Sequence, residues 1–298
     1  MSQSTYLEAI RQALFDAMEA DDSVFCIGED IGHFGGAFKV TRGLAERFGT
    51  SRVIDTPIAE SAIIGTSIGA ALRGMRPVAE MQFADFVSCG FSQLVNNAAT
   101  FHYRLGVSVP MVVRLPSGGG GGAGPFHSRN PEAWLCHAPG LKVVAPTTPE
   151  DAYALMRTAI SDPDPVIYLE QKYLYRRKKA ELQPRPPQLP LAQARIAQAG
   201  DKLTVLAYAN GVELACQAAE KLAGVEVIDL RTLVPWDHQT VAASVAKTGR
   251  VVIVEEAHRT ASFGAELAAT VADICFEQLA ARVRRVRATG VPLPAKVE

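Results

Sequence analysis

Short apolar runs alternate along the chain with longer stretches that have helical spacing. Between Tyr6 and Ala20 the apolar residues share one face, as in an amphipathic helix: Leu7, Ile10, Leu14 and Met18. The apolar runs predict strands at residues 24–28, 53–54, 78–83, 110–115, 142–146, 166–169, 203–206, 225–228 and 251–254. Further helices are predicted from residue 60, over 91–103, 149–160 and 211–222, and from residue 264. This alternation predicts an α/β fold with a doubly wound parallel sheet covered on both faces.

The helix that begins at Glu60 differs from an ordinary surface helix. From Ser61 to Leu72 no residue carries a charge, so we expect this helix to be buried on most sides. Burying the one carboxylate at its start costs free energy unless something holds it. Glu60 is therefore either a helix-start residue satisfied by backbone amides or an acid whose proton is used in chemistry.

The pattern breaks between Arg176 and Gln198. Four basic residues are followed by prolines at 184, 186, 187 and 190, and prolines this dense exclude a helix. We expect an extended linker over residues 179–198, with the basic run as its solvated edge rather than an anion site. The linker divides the chain into two predicted domains, residues 4–178 and 199–298.

The composition is that of an ordinary protein with a sizeable core. Of 298 residues, 48% are hydrophobic, and the net charge of −1 gives no electrostatic case for nucleic acid or an anionic membrane. The five cysteines are scattered without CxxC spacing, which argues against disulfides or zinc and favours a reducing cytoplasm. The first residues resemble neither a signal nor a transit peptide, and no apolar stretch is long enough to span a membrane. We therefore expect a cytoplasmic protein.

A glycine run, SGGGGGAG, spans residues 117–124. Gly119, Gly121 and Gly124 formally match GxGxxG, but Pro125 follows where a dinucleotide-binding helix would start, and no Gly-Lys-Ser/Thr makes a P-loop. Glycine at a strand exit lets the backbone approach a ligand closely. The run then delivers His127 to the carboxyl edge of the sheet, where open α/β sheets bind ligands. A flexible surface loop is the alternative.

Eight motifs, taken together, carry a family resemblance. They are GEDIGHFGGAFKVTRGL (28–44), DTPIAE (55–60), RPVAEMQFADF (76–86), RLPSGGGGGAGPFHS (114–128), PGLKVVAPTTPEDA (139–152), LEQKYLYR (169–176), VIDLRTLVPWD (227–237) and KTGRVVIVEEAHRTASFGAE (247–266). The chain resembles the β subunit of the thiamine-diphosphate-dependent E1 component of 2-oxo acid dehydrogenase complexes. The resemblance implies a transketolase-like pyrimidine-binding domain followed by a smaller α/β transketolase C-terminal domain.

The resemblance also implies roles for four residues. Glu60 matches the glutamate that shares a proton with the aminopyrimidine of the cofactor and so activates it. Phe83 and Phe86 would line the pyrimidine pocket, with ordinary core packing as the alternative for each. His127 matches the active-site histidine that assists acyl transfer to lipoyl-lysine, although Arg129 departs from the family's usual glutamine.

Metal ions and partners follow from the same resemblance. Five residues fall where the family can bind a structural potassium ion, with a bare turn as the alternative: Met111, Ala159, Ile160, Asp162 and Asp164. The Gly-Asp-Gly motif with which thiamine enzymes hold Mg²⁺ and diphosphate is absent from the sequence. The resemblance therefore implies that an E1 α subunit supplies Mg²⁺ and the diphosphate half of the site, in an α2β2 heterotetramer.

We expect the oxidative decarboxylation of a 2-oxo acid and transfer of the acyl group to the lipoyl group of the E2 acyltransferase. The stretch EQKYLYR (170–176) favours a branched-chain substrate over pyruvate, and residues 103–104 and 234–237 agree with it. Phe86 argues against it, because branched-chain relatives often have tyrosine there. Two alternatives are a thiamine enzyme of transketolase type and a non-catalytic scaffold that binds E1 α and E2.

Overall fold

A computed structural model describes residues 3–119 and 122–289 of the chain. Gly121 of the glycine run and residues 290–298, the end of the second predicted domain, lie outside the described residues. No helix within those two ranges is long and apolar enough to cross a bilayer.

The strands of the described residues form three sheets. In chain order they are β1 (Gln3–Thr5), β2 (Val24–Gly28), β3 (Val53–Asp55), β4 (Arg76–Glu80), β5 (Val112–Ser117), β6 (Lys142–Val144), β7 (Val166–Gln171), β8 (Lys179–Glu181), β9 (Arg195–Gln198), β10 (Leu203–Ala207), β11 (Val225–Asp229), β12 (Thr232–Val234), β13 (Val251–His258) and β14 (Arg284–Ala288).

The helices lie between these strands. They are α1 (Tyr6–Ala20), α2 (Leu44–Phe48), α3 (Glu60–Ala71), α4 (Val87–Ser92), α5 (Ala99–Leu105), α6 (Glu132–Cys136), α7 (Pro149–Ser161), α8 (Leu174–Arg177), α9 (Asn210–Ala219), α10 (His238–Thr248) and α11 (Phe263–Ile274). Short 3₁₀ turns span Ala84–Phe86 and Phe276–Gln278, and a π-helical segment, Gln93–Ala98, joins α4 to α5. Several helices start at a side-chain cap; α1 begins with a capping box between Thr5 and Glu8.

The larger sheet has seven strands in the order β12-β6-β7-β5-β4-β2-β3. All its neighbours pair in parallel except β12, which is antiparallel to β6. Alternate residues of one strand enter different cores: Phe25 and Ile27 pack with Ile63 of α3, whereas Cys26 packs with residues of α1 and α7. The predicted doubly wound sheet, covered on both faces, is therefore confirmed.

A second sheet of five strands has the order β14-β13-β10-β11-β9, parallel except for β9. One face packs against α9, and the other faces α10 and α11. Leu206 and Ile228 on that second face belong to the same hydrophobic cluster as Ile63 of the first sheet. The two sheets therefore share one core.

Two features of the second half differ from the sequence pattern. The stretch predicted as a linker, residues 179–198, contains β8, which pairs with β1, and β9, which joins the second sheet. Strand β12 follows β11 of the second sheet but pairs with β6 at the edge of the first. Strands of three or four residues carry too little periodicity to be found in a sequence, and the domain boundaries remain a prediction.

Candidate active site

The predicted site residues follow the carboxyl ends of neighbouring parallel strands. Glu60 follows β3, Phe83 follows β4, and His127 follows β5 after the glycine run. Because β3, β2, β4 and β5 are parallel neighbours, their carboxyl ends meet at one edge of the sheet. Topology therefore gathers residues that are far apart in the sequence.

Glu60 is the first residue of α3 and is half-buried. Its neighbour Ala59 provides no side-chain cap, so an acid at this position also complements the dipole of the helix. The helix-start interpretation of Glu60 and the catalytic one are therefore compatible. Glu60 borders an open cavity of about 630 Å³ whose other lining residues are Ala59, Ser61, Ala62, Gly65, Thr66, Cys89 and Gln93.

The expectation that α3 is buried on most sides is wrong for this chain. Ile63, Ile64 and Ile68 are buried in the core. The opposite face is exposed along its length, through Ser61, Ala62, Thr66 and Gly69. An exposed helix face without charges is typical of a surface that binds another chain. In the sequence, such a face looks the same as one that packs inside its own chain.

Glu29 is a second acid at this edge that sequence reasoning missed. It follows β2 directly, is 5% exposed, and has a carboxylate oxygen, Oε1, without a hydrogen-bond partner in the described part of the chain. Burial first, and then the negative charge of Glu60, raise the pKa of Glu29, against a smaller lowering by the Ala59 amide. The signal in the sequence was an acid directly after a strand of the parallel sheet.

Three aromatic rings form one wall of the site. The rings of Phe83 and His127 have centroids 4.5 Å apart at 84°, an edge-to-face contact. Phe86 lies 5.5 Å from the His127 ring at 81° and 5.8 Å from the Phe83 ring. We name this group the aromatic wall: Phe83, Phe86 and His127. The structure thus brings together three of the predicted residues.

Helix α4 connects Glu60 to the aromatic wall. Phe86 immediately precedes α4, and Gly90 within it packs against α3. A Cβ atom on Gly90 would lie 2.9 Å from Cγ1 of Ile64 and 3.2 Å from the main-chain oxygen of Glu60. A side chain there would push α3 away, so glycine fixes the spacing between the acid and the wall.

The segment that carries His127 is held at several points. The Arg129 amide donates to both Asp85 carboxylate oxygens at 3.3 Å, and its guanidinium Nε donates to the Pro125 carbonyl at 3.0 Å. Gly118, at φ +88°, donates its amide to the Arg129 carbonyl at 3.1 Å. Arg129, which stands where the family usually has glutamine, thus forms hydrogen bonds of its own. The described ends of the glycine run are held by hydrogen bonds rather than free.

A buried ion cluster supports the floor beneath this edge. Arg114 of β5 is 1% exposed and donates to Glu170 through Nε at 2.6 Å and through a terminal nitrogen at 2.9 Å. It also donates to Glu80 of β4, and Tyr175 donates to Glu170 at 2.6 Å. Such a paired cluster ties three strands together directly below the site.

The five predicted potassium residues lie at the turn between α7 and β7, or beside it. Ala159 and Ile160 belong to the last turn of α7, and Asp162 and Asp164 belong to the turn that follows it. The Met111 carbonyl accepts from the amide at the start of β7 at 3.0 Å. Main-chain and carboxylate oxygens are ligands that bind K⁺ in proteins.

Protein cations already engage part of that oxygen set. A terminal nitrogen of Arg76 donates to the main-chain oxygen of Ile160 at 2.7 Å and to that of Asp162 at 3.4 Å. The ammonium of Lys142 donates to the Asp162 carboxylate at 2.6 Å. The oxygens suit potassium, but two of them would have to be shared with, or released by, Arg76.

The described part of the chain contains no group of three or more His, Cys, Asp or Glu side chains arranged to hold a metal ion. The main-chain oxygens of the turn are a different kind of donor set from such side-chain clusters.

Comparison with known families places the whole chain in one class. The model of the transketolase pyrimidine-binding domain matches residues 2–178, and that of the transketolase C-terminal domain matches residues 192–298. A solved structure titled "Split gene transketolase, inactive beta4 tetramer" has a TM-score of 0.78 at 21% identity, over 96% of this chain and 90% of that one. The fold is therefore that of the transketolases.

Curated relatives identify the family within the transketolase fold. The 2-oxoisovalerate dehydrogenase subunit beta of Bacillus subtilis is 43% identical over 98% of this chain and 91% of that protein. The pyruvate dehydrogenase E1 component subunit beta of Leifsonia xyli is 44% identical over 98% of this chain and 88% of that protein. The chain belongs to the family of 2-oxo acid dehydrogenase E1 β subunits. The family and fold expected from the eight motifs are confirmed.

Proposed function

We propose that this chain provides the pyrimidine-activating half of a thiamine diphosphate site in a 2-oxo acid dehydrogenase. The observation that carries the proposal is the joining of Glu60 to the aromatic wall through α4, at the carboxyl edge of the larger sheet. When bound, the cofactor would supply a nucleophilic carbon that adds to the 2-oxo group and an electron sink for the electron pair left when carbon dioxide departs.

Each residue of the site has a distinct task in this proposal. Glu60 would share a proton with N1′ of the aminopyrimidine. Nearby Glu29, whose pKa is raised by burial and by the charge of Glu60, provides a second carboxyl group at this edge. Phe83 and Phe86 exclude water from the ring-binding pocket. His127 donates a hydrogen bond to the reacting oxygen and assists acyl transfer to the lipoyl group of an E2 acyltransferase.

An E1 α subunit would complete the site. The exposed, uncharged face of α3 supports this, because an added Cβ on Gly69 meets no atom within 4 Å in this chain. The absence of Gly-Asp-Gly supports assigning Mg²⁺ and diphosphate binding to the partner. We therefore propose an α2β2 heterotetramer with each cofactor between unlike subunits.

The substrate that we propose is a branched-chain 2-oxo acid, with pyruvate next. Relatives named for 2-oxoisovalerate and for pyruvate are 43% and 44% identical to the chain, so overall identity does not separate them. The support comes from LEQKYLYR at residues 169–176, which contains Glu170 and Tyr175 of the buried ion cluster.

Potassium is a separate proposal. We propose that K⁺ binds the turn at Ile160 and Asp162 only when Arg76 releases their main-chain oxygens. In the chain as it stands, Arg76 and Lys142 provide the positive charge that the turn requires.

The test is co-expression with candidate α chains, followed by calorimetry and turnover. We expect micromolar binding of thiamine diphosphate by the complex but not by this chain alone. The complex should oxidise a 2-oxo acid with an artificial electron acceptor. Turnover of a ketose phosphate instead would favour the transketolase alternative, and assembly without cofactor binding would favour the scaffold.

A further inference from the structure

Lys172 lies next to the aromatic wall, and none of the roles above uses it. It directly follows β7, and its amide donates to the Ser117 carbonyl at the end of β5 at 3.0 Å. Its main chain is therefore fixed at the edge of the sheet from which the glycine run leaves. The residue as a whole is only partly accessible to solvent.

The side chain bridges two members of the aromatic wall. Its Nζ donates to the main-chain oxygen of His127 at 2.8 Å. The same nitrogen lies 5.3 Å from the centroid of the Phe83 ring, within the range of a cation–π contact. One ammonium thus contacts both the main chain of His127 and the ring that His127 packs against.

No carboxylate among the described residues forms an ion pair with this ammonium. The charged groups around it have other partners: Asp85 accepts from Arg129, and Glu256 accepts from Gly119 and Gln171. Burial lowers the pKa of Lys172 to about 8, and the more distant charges of Asp85 and Glu256 oppose that change. A cation without an ion pair is unfavourable in such a place, so packing alone does not explain it.

We propose that Lys172 is a positioning residue for acyl transfer: it holds the main chain at His127 so that the imidazole keeps its edge-to-face contact with Phe83. It acts through His127 and touches neither substrate nor cofactor. The inference rests on the role proposed for His127. A charge-assisted hydrogen bond to a carbonyl is stronger than a neutral one, so the hold is firmest while the ammonium is protonated.

The orientation of His127 can be measured without cofactor or partner. In the full chain labelled with ¹³C at histidine Cε1, the His127 signal is assigned by its loss in His127→Ala. We expect ring currents from Phe83 and Phe86 to displace it, and we expect the signal to shift in a step near pH 8 as Lys172 loses its proton. Lys172→Met should move the signal toward that of an exposed histidine, whereas Lys172→Arg should keep it and abolish the step.

Lys178→Met is the matched control, because Lys178 is another partly buried lysine whose ammonium pairs with Glu213 instead. It should leave the His127 signal unchanged. Thermal unfolding of each variant shows whether it is folded. If Lys172→Met does not fold, the pH step in Lys172→Arg tests the proposal instead. A His127 signal that is the same in wild type and folded Lys172→Met, or the same pH step in Lys172→Arg, would overturn the proposal.

Activity provides the second measurement. In the complex, Lys172→Met should slow reductive acylation of lipoyl domains about 10- to 100-fold, the scale of a misplacement near 1 Å, with little change in the KM for the 2-oxo acid. Lys172→Arg should recover most of the rate and extend it above pH 8. If the NMR result holds while wild type shows no acylation, the proposed function fails and the positioning role stands.

Discussion

Glu29 and Glu60 are neighbouring acids: after burial, the charge of Glu60 is the largest influence that raises the pKa of Glu29. The folded chain therefore holds this proton more tightly than the unfolded chain. As pH rises from about 4.3, the usual glutamate value, the free energy of unfolding should fall until the raised pKa of Glu29 is passed.

Glu29→Gln should remove that fall. We expect a variant more stable than wild type by about 1 kcal/mol at neutral pH, with a smaller difference at pH 4, because no buried carboxylate oxygen is left unpaired. Denaturant unfolding at several pH values measures this. Glu46→Gln, at an exposed helix position, is the control, and a pH-independent difference would contradict the coupling.

Glu60→Gln tests the proposed acid directly. The amide keeps the shape and can occupy the start of α3, but it cannot supply the proton. We expect exchange of the cofactor's C2 proton to slow by at least 10²-fold in the complex, the usual size of an acid–base contribution. NMR-monitored exchange measures it, and near-normal exchange would remove Glu60 from this role while leaving the fold unaffected.

Glu132 connects helix α6 to the residue that follows β10 of the second sheet through a buried contact. It is 2% exposed and accepts from the Tyr208 hydroxyl at 2.7 Å; burial raises its pKa to about 7. Since the unfolded value is near 4.3, the free energy of unfolding should fall by roughly 3 kcal/mol between about pH 4.3 and 7. Glu132→Gln should flatten this part of the stability curve. Tyr208→Phe is the companion variant, and the same pH dependence in wild type and in Glu132→Gln would contradict the assignment.

Gly69 tests whether the open face of α3 binds a partner. No atom lies within 4 Å of an added Cβ, so Gly69→Ala should stabilise the chain by about 1 kcal/mol, and Gly69→Leu should remain folded but fail to assemble with an α chain. Thermal unfolding and light scattering after gel filtration measure the two effects. Gly90→Ala is the contrast, because its Cβ would clash at 2.9 Å within the chain. Normal assembly of Gly69→Leu would argue against this interface.

Arg76 decides the potassium proposal. Arg76→Met frees the main-chain oxygens of Ile160 and Asp162. At equal ionic strength, replacing NaCl by KCl should raise the Tm of this variant by about 2–4 °C, which corresponds to about 1 kcal/mol, and wild type by less. An equal response in both proteins would show that Arg76 does not compete with the ion. Lys142→Met controls for the loss of positive charge at the turn.

Much of the fold follows from local patterns. Helix α1 has the predicted bounds because its apolar face, capping box and following turn all agree. The region predicted as one helix over 91–103 is instead α4, a π-helical segment and α5, because the adjustment depends on packing. The burial of α3 was predicted wrongly because an uncharged face does not reveal which chain covers it.

The sequence by itself determined the α/β alternation and the family, because these depend on residue type and spacing. It also predicted Glu60, Phe83, Phe86 and His127 as site residues. Only the tertiary structure decided that Glu29 lies beside Glu60 and that Lys172 holds the carbonyl of His127. Those pairs come from different strand ends, 31 and 45 positions apart in the numbering. Parallel strand order brings them to one edge, and a linear pattern carries no record of that order.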